Sequence, residues 1–132
     1  MTVTRILSLA AAVAIAVGGY VHFDLYRHGY QSIRNIGVLF ALNIVLSAAF
    51  TAALTMRTDV YTAVAALLFS AGSFGGFVIS RSIGLLGFKE TGLNPTPQAP
   101  ITLAAEASAV ALLAVVLVRH RATGRVSRPA LR

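Results

Sequence analysis

The chain has no cysteine and no tryptophan, and only four of its 132 residues are acidic. Without cysteine it forms neither a disulfide nor a thiolate metal site, which excludes thiol oxidoreductases and thiolate zinc folds. Charge as a whole is scarce, at 11% of residues against 57% hydrophobic, where soluble globular domains carry roughly 25% charged residues. So little polar surface cannot wrap a soluble core, and the solvent this composition calls for is a lipid bilayer. Catalytic signatures are missing as well. There is no G-x-S-x-G, no H-E-x-x-H and no phosphate-binding loop, and the glycines at 84, 87 and 92 read as loop residues, not a nucleotide fingerprint. The sequence therefore supports no enzyme and identifies no cofactor.

What is present is a succession of long apolar runs. Val3 to Phe23 is interrupted only by Thr4, Arg5, Ser8 and His22, and at about 1.5 Å per residue it crosses the ~30 Å hydrocarbon layer. Its single arginine and small residues near Gly19 also resemble a secretory signal, but the run is longer than a usual signal core, so an uncleaved first span is expected. The helix should reach His28, with Gly29 as a left-handed cap. Ser32 can cap a second span over Ile33 to Met56, and Thr58 or Asp59 a third from Val60 to about Arg81. The connection "RSIGLLGFKETGLNPTPQAP" has three prolines in its last six residues, which forbid regular helix there. Pro100 suits the first turn of a fourth span, Ile101 to Val118, and a basic tail of little fixed structure follows over 119–132. The expectation is an all-α, four-helix transmembrane bundle, up-down-up-down, forming one domain over 1–118.

The formal charge of +7 does not point to nucleic acid, because five of the eleven basic residues lie in the last fourteen positions, beside a span. It sets orientation instead. If both termini share a side, that side holds Arg5, Arg57, Arg119, Arg121, Arg125, Arg128 and Arg132 against Arg27, Arg34, Arg81 and Lys89 opposite, so the N and C termini are expected in the cytoplasm of a multi-pass plasma-membrane protein. Tyr20, Tyr26 and Tyr30 then mark the outer interface and Tyr61 the inner one. The tail is a topology determinant with a secondary affinity for anionic lipid. In "FSAGSFGGF", Gly72, Gly75 and Gly76 form a small-residue face for helix packing, either within the bundle or at a homodimer or larger membrane complex.

Polar residues gather toward one end. His22, Asp24 and His28 close the first span there, Arg34 opens the second, Ser80 and Arg81 close the third, and Asn43 sits deeper. Glu106 lies five residues into the fourth expected span, roughly 8 Å below its end. A carboxylate in hydrocarbon costs at least a few kcal/mol unless it is paired, hydrated or protonated, so Glu106 must face the bundle. Arg34 and Arg81 are its available countercharges, and His22, Arg34, Asn43, Arg81 and Glu106 form a candidate ligand or ion-pair cluster. Asp24 and His28 share a helix face and could supply two metal ligands, needing a third from another helix or subunit; such a spacing is more often an ordinary charge pair. His22 and His28 point about 120° apart, which argues against two haem ligands from one helix.

The stretches "HFDLYRHGYQSIRNIGVLFALN", "GGFVISRSIGLLGFKETG" and "ITLAAEASA" together resemble uncharacterised small four-span integral membrane proteins of high-GC actinobacteria. That resemblance spans most of 19–110 and implies a helical membrane protein, with no activity to carry over. Three functional readings stay open. One is a non-enzymatic accessory or interaction subunit whose outer polar cluster binds a small ligand. A second is a dimeric transporter or channel using Glu106 as a proton- or cation-coupling carboxylate. The third is an outward-facing metal or haem binder.

Overall fold

The computed structural model describes residues 1–126, with side chains through 123. It is all-helical: α1 Val3–Arg27, α2 Ile36–Met56, α3 Val60–Ser82 and α4 Gln98–Val126, with a 3-10 turn over Tyr30–Ser32. Each of the four is long and apolar enough to cross a membrane, and short links make successive helices antiparallel. One end of the bundle carries the N-terminus, the α2–α3 link and the end of α4 (the termini end); the other carries the α1–α2 and α3–α4 connections (the loop end).

The helix boundaries follow from local chemistry. The Thr2 hydroxyl accepts from the Arg5 N–H at 3.2 Å to start α1. Asp59, one of the two expected caps, starts α3: its Oδ1 accepts from the Thr62 N–H at 2.9 Å and its Oδ2 from the Thr62 hydroxyl at 2.8 Å. Those hydrogen bonds, the backbone one foremost, hold the Asp59 carboxyl below its usual range. Arg5 does more than orient the chain. Its guanidinium donates to the carbonyls of Leu54, at 3.1 Å, and Thr55, satisfying groups that the last turn of α2 leaves free and placing a cation at the negative end of that helix.

Three boundaries differ from expectation. α1 stops at Arg27, one residue early, and Gly29 turns the chain at a φ of 129° that only glycine adopts readily. Ser32 does not cap α2. The chain instead makes a 3-10 turn, passes through Asn35 at a φ of 64°, and starts α2 at Ile36, because asparagine tolerates the left-handed region. Finally, α4 begins at Gln98 and continues to Val126. Pro100 falls in its first turn, where no N–H is needed, and the stretch 119–126 is helical, contrary to the expectation of an unstructured tail. Arg128 and Arg132 lie outside the described residues.

The buried apolar core occupies the termini half. Ala11, Ala12 and Ile15 of α1 meet Leu54 of α2, Ala63 and Ala66 of α3, and Ala109, Leu113 and Val116 of α4. Alanines at these contacts let the backbones approach closely, which is how helices associate in lipid. α1 packs closely on α2 and α4, and α4 on α3, whereas α2 and α3 touch only sparingly. The loop half of the molecule is therefore open between α2 and α3.

Candidate functional site

Glu106 sits eight residues into α4, because that helix starts three residues earlier than expected; by helix rise it lies about 12 Å below the loop end, close to mid-membrane. It is buried, at 6% exposure. Neither expected arginine pairs with it. The Ser73 hydroxyl donates to Glu106 Oε1, Asn43 Nδ2 donates to Ser73 Oγ at 2.8 Å, and the Ser47 hydroxyl donates to Asn43 Oδ1 at 3.2 Å. Three hydrogen bonds thus run in one direction from α2 through α3 to α4, and all of them feed the carboxylate. Glu106 Oε2 and the neighbouring Ser70 Oγ are buried without a hydrogen-bond partner.

The remaining members of the expected cluster are held elsewhere by their own hydrogen bonds or by the course of the chain. Arg34 lies in the link before α2 and is exposed. Arg81 is spent on the α3–α4 connection: Nε donates to the Gly92 carbonyl at 3.0 Å, Nη2 to the Asn94 carbonyl at 2.8 Å and Nη1 to Ser80 Oγ at 2.8 Å, while its guanidinium lies 3.7 Å over the Phe77 ring. It acts on Glu106 only at longer range, through its field. His22 bonds through Nδ1 to the Gly18 carbonyl at 2.8 Å and packs on the Phe40 ring at 4.8 Å, so it makes no bond to Asn43 or Glu106.

Asp24 and His28 do form an i,i+4 pair, Nδ1 to Oδ1 at 3.3 Å, with His28 largely exposed. The second Asp24 oxygen accepts from Gln98 Nε2 at 3.2 Å. Among the described residues no group of three histidines or carboxylates could hold a metal ion, so no third histidine or carboxylate of these residues joins the pair.

The open side between α2 and α3 is a groove of about 720 Å³. Leu39, Leu42 and Leu46 of α2 face Leu68, Phe69 and Ile79 of α3 across it, and Asn43 and Ser73 lie part-way down its inner side. Gly72, Gly75 and Gly76 line it instead of packing a helix. A methyl group added at Gly72 or Gly75 would meet nothing within 4 Å, and one at Gly76 only Leu85, at 3.8 Å. The helical glycines at which the chain does close tightly are Gly19, against Ser47 of α2, and Gly37, against the Gln31 carbonyl; neither stands out in the sequence.

A polar clasp closes the mouth of the groove at the loop end. The Tyr30 hydroxyl donates to Glu90 Oε1 at 2.6 Å, its ring stacks on Phe40 at 4.9 Å and meets the edge of Phe88 at 5.8 Å, and the Glu90 N–H donates to the Ser80 carbonyl at 3.0 Å. Burial, and then the bond to Glu90, raise the Tyr30 phenol above its ordinary value of 10.0. A group that binds its proton more tightly when folded contributes stability that is intact below its unfolded value and is lost as pH rises past it. Wild type should therefore exceed Tyr30→Phe in thermal midpoint by its full margin near pH 8, and the margin should shrink above about pH 10. A margin that stays constant through that range would show that the clasp is not stabilising.

Sequence reasoning placed Tyr30 only at the interface and missed Glu90, Ser47, Ser70 and Ser73. One signal was available: Asn43 and Glu106 are the strongest polar residues inside their spans, and Ser70 and Ser73, three apart on α3, lie at matching depth. Compared with family models, curated proteins and solved structures, this small four-helix membrane-spanning chain has no match in any of the three.

Proposed function

We propose that this protein binds one amphipathic, membrane-soluble ligand in the groove between α2 and α3. The groove's depth and chemistry carry the reading. From Ile36 to Leu46 the lining of α2 descends about 15 Å, half of the ~30 Å hydrocarbon layer, so the groove is one leaflet deep. Its walls are leucine, isoleucine and phenylalanine, with the Tyr30–Glu90 pair at the mouth and the polar side chains of Asn43 and Ser73 part-way down its inner side, above Leu46 and Leu68. That is the pattern of a small-molecule site, mostly apolar with a few placed polar groups, and its volume falls in the usual range of roughly 300–1,000 Å³.

The excess of arginine at the termini end supports placing that end in the cytoplasm and the groove in the outer leaflet of the plasma membrane. Exposed Arg119 and Arg121 at the end of α4 are then positioned for anionic lipid on the inner side. Native mass spectrometry of the full chain released from mild detergent tests the ligand. One amphipathic molecule per chain, surviving detergent exchange, is the expected result. A chain that carries detergent alone, or that runs as a dimer cross-linked through a single cysteine introduced at Gly72, would overturn it.

A further inference from the structure

A second, smaller cavity lies behind the groove, deeper in the bundle. It is bounded by Glu106, Ser70, Ser73, Ser47 and Asn43, and its volume of about 10 Å³ is at the lower bound for a single water. Two polar side chains on its wall have unpartnered oxygen atoms, Glu106 Oε2 and Ser70 Oγ; the residues are 6% and 2% exposed respectively. We propose that this cavity is a binding site for one sodium ion, with Glu106 Oε2 and Ser70 Oγ as its principal ligands and the Ser47 and Ser73 hydroxyls completing an all-oxygen shell.

The cavity's size restricts it to one water-sized particle. A water would satisfy Ser70 and Oε2 but leave the carboxylate charge at mid-membrane without a paired cation, because Arg81 is committed to the α3–α4 connection. A proton on Glu106 Oε2 is the rival occupant: it would remove the charge and place a donor opposite Ser70 Oγ across the same cavity, and it predicts a thermal midpoint indifferent to sodium. A small monovalent cation also answers both at once. Carboxylate and hydroxyl oxygens are hard donors, suited to such an ion and not to a soft transition metal. The relay from Ser47 through Asn43 and Ser73 feeds donors to Oε1, which holds the carboxylate in place and turns its second oxygen to the cavity. Asn43 and Ser73 line both this cavity and the groove, so the groove is the route in. The site does not depend on what the groove binds.

The test compares the thermal midpoint of the full chain in sodium chloride and in choline chloride at equal ionic strength, with calorimetric titration of sodium chloride as a second readout. Sodium should raise the midpoint and choline should not, since an ion that binds only the folded state stabilises it by mass action. Glu106→Gln, close in shape, should abolish the sodium response while remaining folded. Ser70→Ala should weaken sodium binding by about ten- to a hundredfold, the worth of one hydrogen-bonding group to a charge. Equal responses to the two salts, no response to either, or a sodium response that survives Glu106→Gln would each overturn the proposal. Ligand retention in the groove, read separately by mass spectrometry, stands or falls on its own.

Discussion

The double variant Gly72→Leu/Gly75→Leu is expected to fold at least as well as wild type and to retain little or none of the groove's ligand. Both glycines sit inside α3, and an added Cβ at either meets nothing within 4 Å, so the new side chains enter the groove, not a neighbouring helix. Replacing each glycine by leucine removes a helix penalty of about 1 kcal/mol, which favours the fold. The leucines occupy the volume the ligand needs, between Leu42 and Leu46 on one wall and Phe77 on the other. A loss of more than about tenfold in retained ligand corresponds to 1.4 kcal/mol or more. Ala104→Leu, on an exposed part of α4 away from the groove, should retain ligand as wild type does. If the double variant kept its ligand at wild-type stoichiometry, the groove would not be the site.

Adjacent glycines in α1 should behave oppositely. A Cβ built at Gly19 would stand 2.5 Å from Ser47 Cβ and 2.9 Å from its Oγ, whereas one at Gly18 meets nothing within 4 Å. Gly19→Ala must therefore push α1 and α2 apart, and overpacking of this kind costs about 1–3 kcal/mol, set against a helix-propensity gain of about 1 kcal/mol. The separation also draws on Ser47, which donates to Asn43, so the relay to Glu106 should loosen as well. Gly18→Ala carries the gain without the clash and should be neutral or stabilising. Ser47→Gly in the Gly19→Ala background should recover part of the loss, giving a favourable coupling in a double-mutant cycle. Thermal midpoints in one detergent would decide the matter, and equal midpoints for Gly18→Ala and Gly19→Ala would refute the close α1–α2 contact.

The divergence of Gly18 and Gly19 illustrates why some of this molecule was legible in its sequence and some was not. Caps and span lengths are local properties: Asp59 before an apolar run and Gly29 after one identify helix ends through hydrogen bonds and φ angles that need no other helix. The α3–α4 connection was legible for the same reason up to Pro97, whereas Pro100, which the first turn of a helix accommodates, did not keep α4 from starting at Gln98. Glu106 was legible as a residue that must face inward, because hydrocarbon penalises its charge on every other face. Its partner was not. Arg34 and Arg81 were reasonable countercharges by depth, but Asn35 turns the chain just before α2 and leaves Arg34 exposed, and the carbonyls of Gly92 and Asn94 take Arg81.

Taken alone, the amino-acid sequence determined the solvent, the number of helices, their approximate ends and the inward facing of Glu106, because each follows from the transfer of a residue or a short segment between water and lipid. Only the tertiary structure decided that Ser73 serves Glu106, that Gly72 and Gly75 face a groove while Gly19 makes the tight contact, and that α2 and α3 stand apart. These depend on the rotation of each helix about its axis. In a soluble bundle an apolar stripe announces that rotation, but here the lipid-facing side is as apolar as the core-facing one, so the pattern of hydrophobic residues is nearly silent about it.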